Sequence, residues 1–188
     1  MIGNDIVDLQ LAKIESNWQR KGFLEKQFTQ KEQKEILNSE NPFLKVWLFW
    51  SMKEAAYKCY TQKHQKRFFA PQKFECTVVS EDIGIVSFDT LEFYTTTFLN
   101  TFYIYTLSEE KKEGLRIFSS IGSPQTIDKD IKLKLAEETG VLHQEIEQRK
   151  SFVGAPSYYH KEKLLTSSCS ISHHGNYGAF AFTIENES

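Results

Sequence analysis

One stretch, Asn41-Pro-Phe-Leu-Lys-Val-Trp-Leu-Phe-Trp-Ser-Met-Lys-Glu-Ala-Ala-Tyr-Lys58, leaves few folds open to this chain. The Asn41 side chain can accept from a first-turn N–H, and Pro42 suits the first helical position, where no intrahelical donor is needed. With no breaker for several turns, the spacing predicts a helix running to about Tyr60. Phe43, Trp47, Trp50 and Glu54 recur on one side, and Leu44, Leu48, Met52, Ala55 and Cys59 fill another. Little of the first half is left for water, so the helix must be buried. Its second half carries Lys53, Glu54 and Lys58. An ionised carboxylate in such surroundings costs on the order of several kcal/mol unless a cation or a metal meets it. Glu54 and Lys58 can form an ordinary i,i+4 surface pair. Alternatively, Glu54 is a hard oxygen ligand for a divalent metal and Lys53 and Lys58 face phosphates, which requires a second carboxylate elsewhere.

That carboxylate is sought in a chain of 188 residues, enough for one domain or two small lobes sharing an interface. The net charge of -2 argues against a nucleic-acid partner or a polybasic membrane anchor. The cysteines, Cys59, Cys76 and Cys169, show neither paired spacing nor a disulfide framework and read as core residues of a reducing compartment. No basic segment leads into an apolar run at the N-terminus, and no stretch approaches a membrane span, so a cytoplasmic protein is expected.

Met1 to Leu11 reads as a short buried strand interrupted by Asp5, which is either a ligand or a cap for the next turn or helix. Phe23 to Leu37 is helical, with Thr29 and Glu32 forming a capping box. Lys63 to Pro71 is a basic loop with two aromatics, and Lys45, Lys53, Lys58, Lys63, Lys66, Arg67 and Lys73 together make a positive patch suited to an anion. Phe74–Val79, Gly84–Phe88, Leu91–Thr96 and Thr101–Leu107 alternate as an antiparallel meander. A charged turn over Ser108–Gly114 precedes a strand over Leu115–Ile121. A helix over Ile127–Thr139 ends at Gly140. Glu145–Lys150 is a strand, and an aromatic strand succeeds Val153-Gly-Ala-Pro. Strands around Ile171 and over Tyr177–Ile184 flank a polar turn, Ser172-His-His-Gly-Asn, fit for phosphate or simply for solvent.

Three motifs now stand together: Gly3-Asn-Asp5-Ile-Val-Asp8, Trp50-Ser-Met-Lys53-Glu54-Ala-Ala-Tyr-Lys58, and Ser170-Ile-Ser172-His173-His174-Gly. The set resembles the 4'-phosphopantetheinyl transferase superfamily, in the motif order of its short holo-acyl-carrier-protein synthase class. Phe28-Thr-Gln-Lys-Glu32 and Gly154-Ala-Pro-Ser-Tyr-Tyr add to the likeness, which hardly covers Val78 to Ile121. The resemblance implies an α+β fold, an antiparallel sheet packed against a long buried helix, over residues 1–188 with lobes at 1–121 and 122–188. It implies a cytoplasmic transferase moving 4'-phosphopantetheine from coenzyme A to a serine of an apo acyl or peptidyl carrier protein. The reaction depends on Mg²⁺, releases 3',5'-adenosine bisphosphate and serves fatty-acid or polyketide biosynthesis. The alternative is a catalytically silent module of the same fold that binds carrier proteins. Carried onto this chain, the metal ligands are Asp5 and Glu54, the catalytic residues Glu54, Asp5 and Lys58, and the cofactor contacts Lys53, Lys58, Lys66, Arg67, Ser172 and His173. A second carboxylate two residues after the aspartate is absent, Val7 standing there, and the glycine-rich run after Lys58 is replaced by Cys59-Tyr-Thr-Gln. Two arrangements are open: a subunit that oligomerises to complete its site, or one chain holding both lobes in permuted order as a pseudo-dimer.

Overall fold

The computed structural model describes residues 1–68, 70–110 and 116–184. Strand β1 (Ile2–Asp8) is buried along its whole length and leads directly into helix α1 (Leu9–Glu15). The cap between them is Asp8, whose carboxylate accepts from Gln10 N and Leu11 N. Helices α2 (Phe23–Gln27) and α3 (Gln30–Leu37) replace the single helix expected there. The interruption falls where Thr29 turns extended to become the N-cap of α3, with the full capping box to Glu32.

Helix α4 (Pro42–His64) starts at Asn41 as expected and runs a turn further than expected, ending where Gln65 adopts a left-handed conformation. It covers one face of a sheet made of β1, β2 (Glu75–Val78), β3 (Ile83–Phe88), β4 (Leu91–Leu99) and β5 (Tyr103–Glu109), in the order β1-β5-β4-β3-β2. All pairings are antiparallel, so the expected meander is present, and β1 returns from the far end of the chain's order to pair with β5. The approach of α4 to β1 is close enough that a Cβ on Gly3 would lie 2.0 Å from Ala55 O. Only glycine fits that contact. Phe49, Met52, Cys59, Phe74 and Phe93 lie in the core beneath the helix.

Strand β6 (Ile117–Gly122) pairs with β11 (Tyr177–Thr183), not with the first sheet, giving a second sheet of order β10-β11-β6 with β10 (Ser168–His174) at its edge. The chain therefore passes to the second sheet before Ile117, earlier than residue 121. Most of the expected charged turn, and the start of the strand expected from Leu115, fall on 111–115, outside the described residues, as do Phe69 of the basic loop and 185–188. Helix α5 (Ile127–Thr139) has the expected bounds and ends at a left-handed Gly140. A small third sheet joins β7 (Ile146–Lys150), β8 (Pro156–His160) and β9 (Lys163–Leu164).

The two main sheets meet edge to face. Directly opposed residues of an antiparallel pair share a face, so Cys169, Ile171, Phe180 and Phe182 form one side of the second sheet, packed under α5. Ser168, Ser170, Ser172, Ala179 and Ala181 form the other, turned to β1. Three N–H groups of β1 that point away from β5 are taken up by side chains of β10: Ile2 N donates to Ser168 Oγ, Asn4 N to Ser170 Oγ and Asp8 N to His174 Nδ1, each at 2.9 Å. The offset along the chain is constant. Three donors of an edge strand are thus satisfied by two hydroxyls and an imidazole in place of a neighbouring backbone.

Candidate active site

The first wall of the site comes from α4, with Asp5 of β1 buried behind it and not lining the cleft. Alternation along β1 turns Gly3, Asp5 and Val7 toward α4. Helical spacing puts Glu54, Lys58 and Gln62 in one row, because residues four apart stack on one face. Lys58 Nζ lies 3.5 Å from Asp5 Oδ1 and donates to Asn4 O at 2.9 Å. Asp5 is 9% exposed, and its Oδ2 is buried without a hydrogen-bond partner. Burial pushes the Asp5 carboxyl up to about 7; Lys58 pulls against that, the Glu54 carboxylate adds to it, and the nearby Ser51 hydroxyl opposes it. Glu54 is also raised by burial, and Lys58 opposes the shift. Two carboxylates therefore share one lysine, with one oxygen left over.

Opposite stands the second wall: the free edge of β10 at Cys169–Ile171 and the turn Val153–Pro156. The cleft between the walls encloses about 320 Å³, with Glu54, Tyr57, Lys58, Thr61 and Gln62 on the helix side. Arg67 closes one end. Its Nε donates to Val153 O at 2.7 Å and its Nη2 reaches the same carbonyl. The guanidinium lies where a Cβ on Gly154 would be, and Gly154 has φ +80°. Glycine suits that left-handed backbone, and its bareness leaves room for the guanidinium.

Other expected site residues lie elsewhere. Lys53 does not face the cleft: its Nζ is 2.8 Å from Glu32 Oε2 and also donates to Pro71 O and Phe74 O, and the residue is 2% exposed. One residue before Glu54 on a helix is about 100° around it, here the side facing α3. Expecting Lys53 to contact a phosphate is therefore corrected: it is the buried partner of Glu32, which also accepts from Cys76 N. The wider basic patch disperses for similar reasons, Lys45 lying over the Phe49 ring and Lys63 pairing with Glu110. Ser172 belongs to β10, not to a turn; the turn is Gly175–Asn176. Its hydroxyl is buried on the face toward β1, without a partner, and so is not offered to the cleft. His173 points to the opposite face and is exposed, two residues beyond Ile171. Lys66 is exposed beside Arg67 and does not line the cleft. Asp8 is held as the α1 cap and by Asn176 N at 3.1 Å, a structural use of its oxygens.

Tyr57, Thr61, Gln62 and Ser170 line the cleft without having been singled out in the sequence. Extending the helical row from Glu54 and Lys58 by one more step finds Gln62. Ser170 opens the third motif, where no role is assigned to it.

A site for a divalent metal fits these residues. The donors are two carboxylates, hard oxygens, one with an orphaned buried atom. Among the described residues no group of three or more His, Cys, Asp or Glu comes together. An ion here would take its remaining ligands from water and substrate oxygens, as Mg²⁺ does when it binds through one or two carboxylates.

The three cysteines are buried free thiols, as expected. Among the described residues no helix is long and apolar enough to cross a membrane. No curated protein matches the chain. The family model of the 4'-phosphopantetheinyl transferase superfamily matches residues 1–117, which span β1, α4 and the whole first sheet, with Asp5, Glu54 and Lys58 among them. Its members use coenzyme A as substrate and act on carrier proteins. The chain belongs to the 4'-phosphopantetheinyl transferase superfamily.

Proposed function

We propose that this chain is a cytoplasmic, Mg²⁺-dependent transferase of the holo-acyl-carrier-protein synthase type. It moves 4'-phosphopantetheine from coenzyme A to a serine of an apo acyl or peptidyl carrier protein of fatty-acid or polyketide synthesis. The observation that carries this reading is the sharing of Lys58, which lines the cleft beside Glu54, by Glu54 and by the buried Asp5 behind it. Asp5 and Glu54 would hold the Mg²⁺, which when bound neutralises pyrophosphate charge and stabilises the departing oxyanion.

The serine oxygen attacks the β-phosphorus, the bond from that phosphorus to the bridging oxygen breaks, and 3',5'-adenosine bisphosphate leaves. Glu54, the carboxylate that lines the cleft, takes the serine proton. Lys58 keeps one ammonium proton beyond those directed at Asn4 O and Asp5 and offers it to a phosphate oxygen. Arg67, pinned by Val153 O, meets phosphate from the rim, with Lys66 next to it and His173 further along β10. Positioning and electrostatics supply most of the acceleration in phosphoryl transfer, so no stronger base is needed. Both walls of the cleft come from one chain, which supports the permuted pseudo-dimer acting as a monomer.

The test is incubation with coenzyme A, Mg²⁺ and an apo carrier protein, read by intact-mass spectrometry. Wild type adds one phosphopantetheine to the carrier and Glu54→Ala adds none. Wild type leaving every carrier unmodified while still binding it would favour the silent module instead.

A further inference from the structure

The row that carries Glu54 and Lys58 continues to Gln62, which lies 8% exposed at the bottom of the cleft. Gln62 Nε2 donates to Ile2 O at 2.6 Å, Ser168 Oγ donates to Gln62 Oε1 at 2.8 Å, and Ile2 N donates to Ser168 Oγ at 2.9 Å. The three bonds close a ring. The ring also fixes its own polarity. Ser168 Oγ already accepts from Ile2, so its proton must go to an acceptor, and the amide oxygen of Gln62 is that acceptor; a flipped amide would set acceptor against acceptor at Ile2 O. All three residues are buried, so each bond is made in a medium where losing it strands a partner.

The ring joins the roots of α4, β1 and the β10 edge. Gln62 is one turn past Lys58 on α4, Ile2 is three residues before Asp5 on β1, and Ser168 immediately precedes the Cys169–Ile171 edge. It is also the end rung of the hydroxyl ladder between the sheets, and the only rung there that reaches α4 among those described. We infer that Gln62 and Ser168 are positioning residues that fix the β10 wall of the cleft against the α4 wall, so that coenzyme A is gripped from both sides. This rests on the reading of the cleft as the coenzyme A site. Ser168 does not line the cleft, so its effect on the ligand passes through Gln62 and the strand edge.

The test is coenzyme A affinity, by calorimetry with Mg²⁺ present, for wild type, Gln62→Ala, Ser168→Ala and the double variant. Each single variant should weaken binding roughly tenfold, and the double no more than the worse single, because one ring is broken in all three. Thr97→Val, which removes the buried Thr97–Thr106 hydroxyl contact in the first sheet, controls for lost stability and should bind within about twofold of wild type. Ser168→Ala binding like wild type would overturn the inference, and so would losses that add in the double variant, since both mark Gln62 as a direct contact only. Ser168→Cys, nearly isosteric and a weak donor, gives the same reading if the alanine variant does not fold, with a smaller loss expected. Wild type failing to bind coenzyme A would sink the functional reading itself. Binding without transfer would sink only the transfer reaction and leave the ring tested.

Discussion

Lys58 Nζ stands 3.5 Å from Asp5 Oδ1, the only cation that the described ion pairs set against that carboxylate. Lys58 is the main influence holding Asp5 down against burial. Replacing it with methionine keeps the aliphatic stem and removes the charge, so Asp5 should bind its proton still more tightly. At about pH 7.5 a smaller fraction is ionised, and kcat/KM for transfer should fall by roughly 100-fold or more. The acid limb of the kcat/KM profile should also move to higher pH, which a simple loss of a phosphate contact would not produce.

Asp5 also links stability to pH. Its carboxyl holds a proton up to about 7 in the fold, against an ordinary value of 3.8. Between those values the folded state keeps a proton that the unfolded chain has released, so stability falls as pH rises through this window and levels off above it. Asp5→Asn cannot ionise. Without metal it should be more stable than wild type at about pH 8, by up to about 4 kcal/mol, and no more stable at about pH 4. Urea titrations at the two pH values check this, and the same variant should be inactive.

Gly3→Ala places a Cβ 2.0 Å from Ala55 O and 2.7 Å from Cys59 N, both backbone atoms of α4 that cannot swing aside. The strand must move off the helix, carrying Asp5 with it. The expected loss is about 3 kcal/mol or more in a denaturation midpoint, with transfer reduced beyond what the folded fraction explains.

Much of this was legible because local chemistry set it. Asn41-Pro42, the Thr29–Glu32 box and Gly140 are helix punctuation that works over four residues, and each lies where the sequence puts it. The alternation of Gly84–Phe88 and Leu91–Thr96 needed only a half-buried sheet to become strands. The features that were not legible depended on partners far away in the chain. Lys53 and Glu54 are neighbours in sequence, and nothing local says that α3 would supply Glu32 to one of them and the cleft would receive the other. Asp8 accepts from the Gly175–Asn176 turn, 168 residues on, a partner that nothing near it in the sequence announces. The Ser172–His174 segment carries polar residues that suggest a turn, yet it is strand, paired along its length with β11 and giving the His174 imidazole to Asp8 N of β1.

Glu32 and Lys53 form a fully buried pair at 2.8 Å. Breaking it on one side strands a charge: Lys53→Met or Glu32→Ala should each destabilise by about 3–5 kcal/mol in urea titrations. Glu32→Gln with Lys53→Met removes both charges and keeps an acceptor for Cys76 N, so it should recover most of that loss. Coenzyme A affinity of the folded double variant should match wild type within about threefold, because neither side chain reaches the cleft. A loss of tenfold or more would restore Lys53 to the ligand-binding residues.

Magnesium affinity should depend on pH in a way set by Asp5. A carboxylate must be deprotonated to ligate, so below about pH 7 each ion bound displaces a proton from Asp5, and above it none is displaced. Apparent affinity should therefore rise close to tenfold per pH unit below about 7 and flatten above it. Calorimetry in two buffers of different ionisation enthalpy counts the released protons directly, and the count should be about one or more at about pH 6 and fall toward zero at about pH 8. Asp5→Asn and Glu54→Gln should each abolish the binding, and chelation of wild type should stop transfer until Mg²⁺ is returned. An affinity that is flat across this range, with no proton released, would remove Asp5 from the ligand set even if Glu54 remained essential.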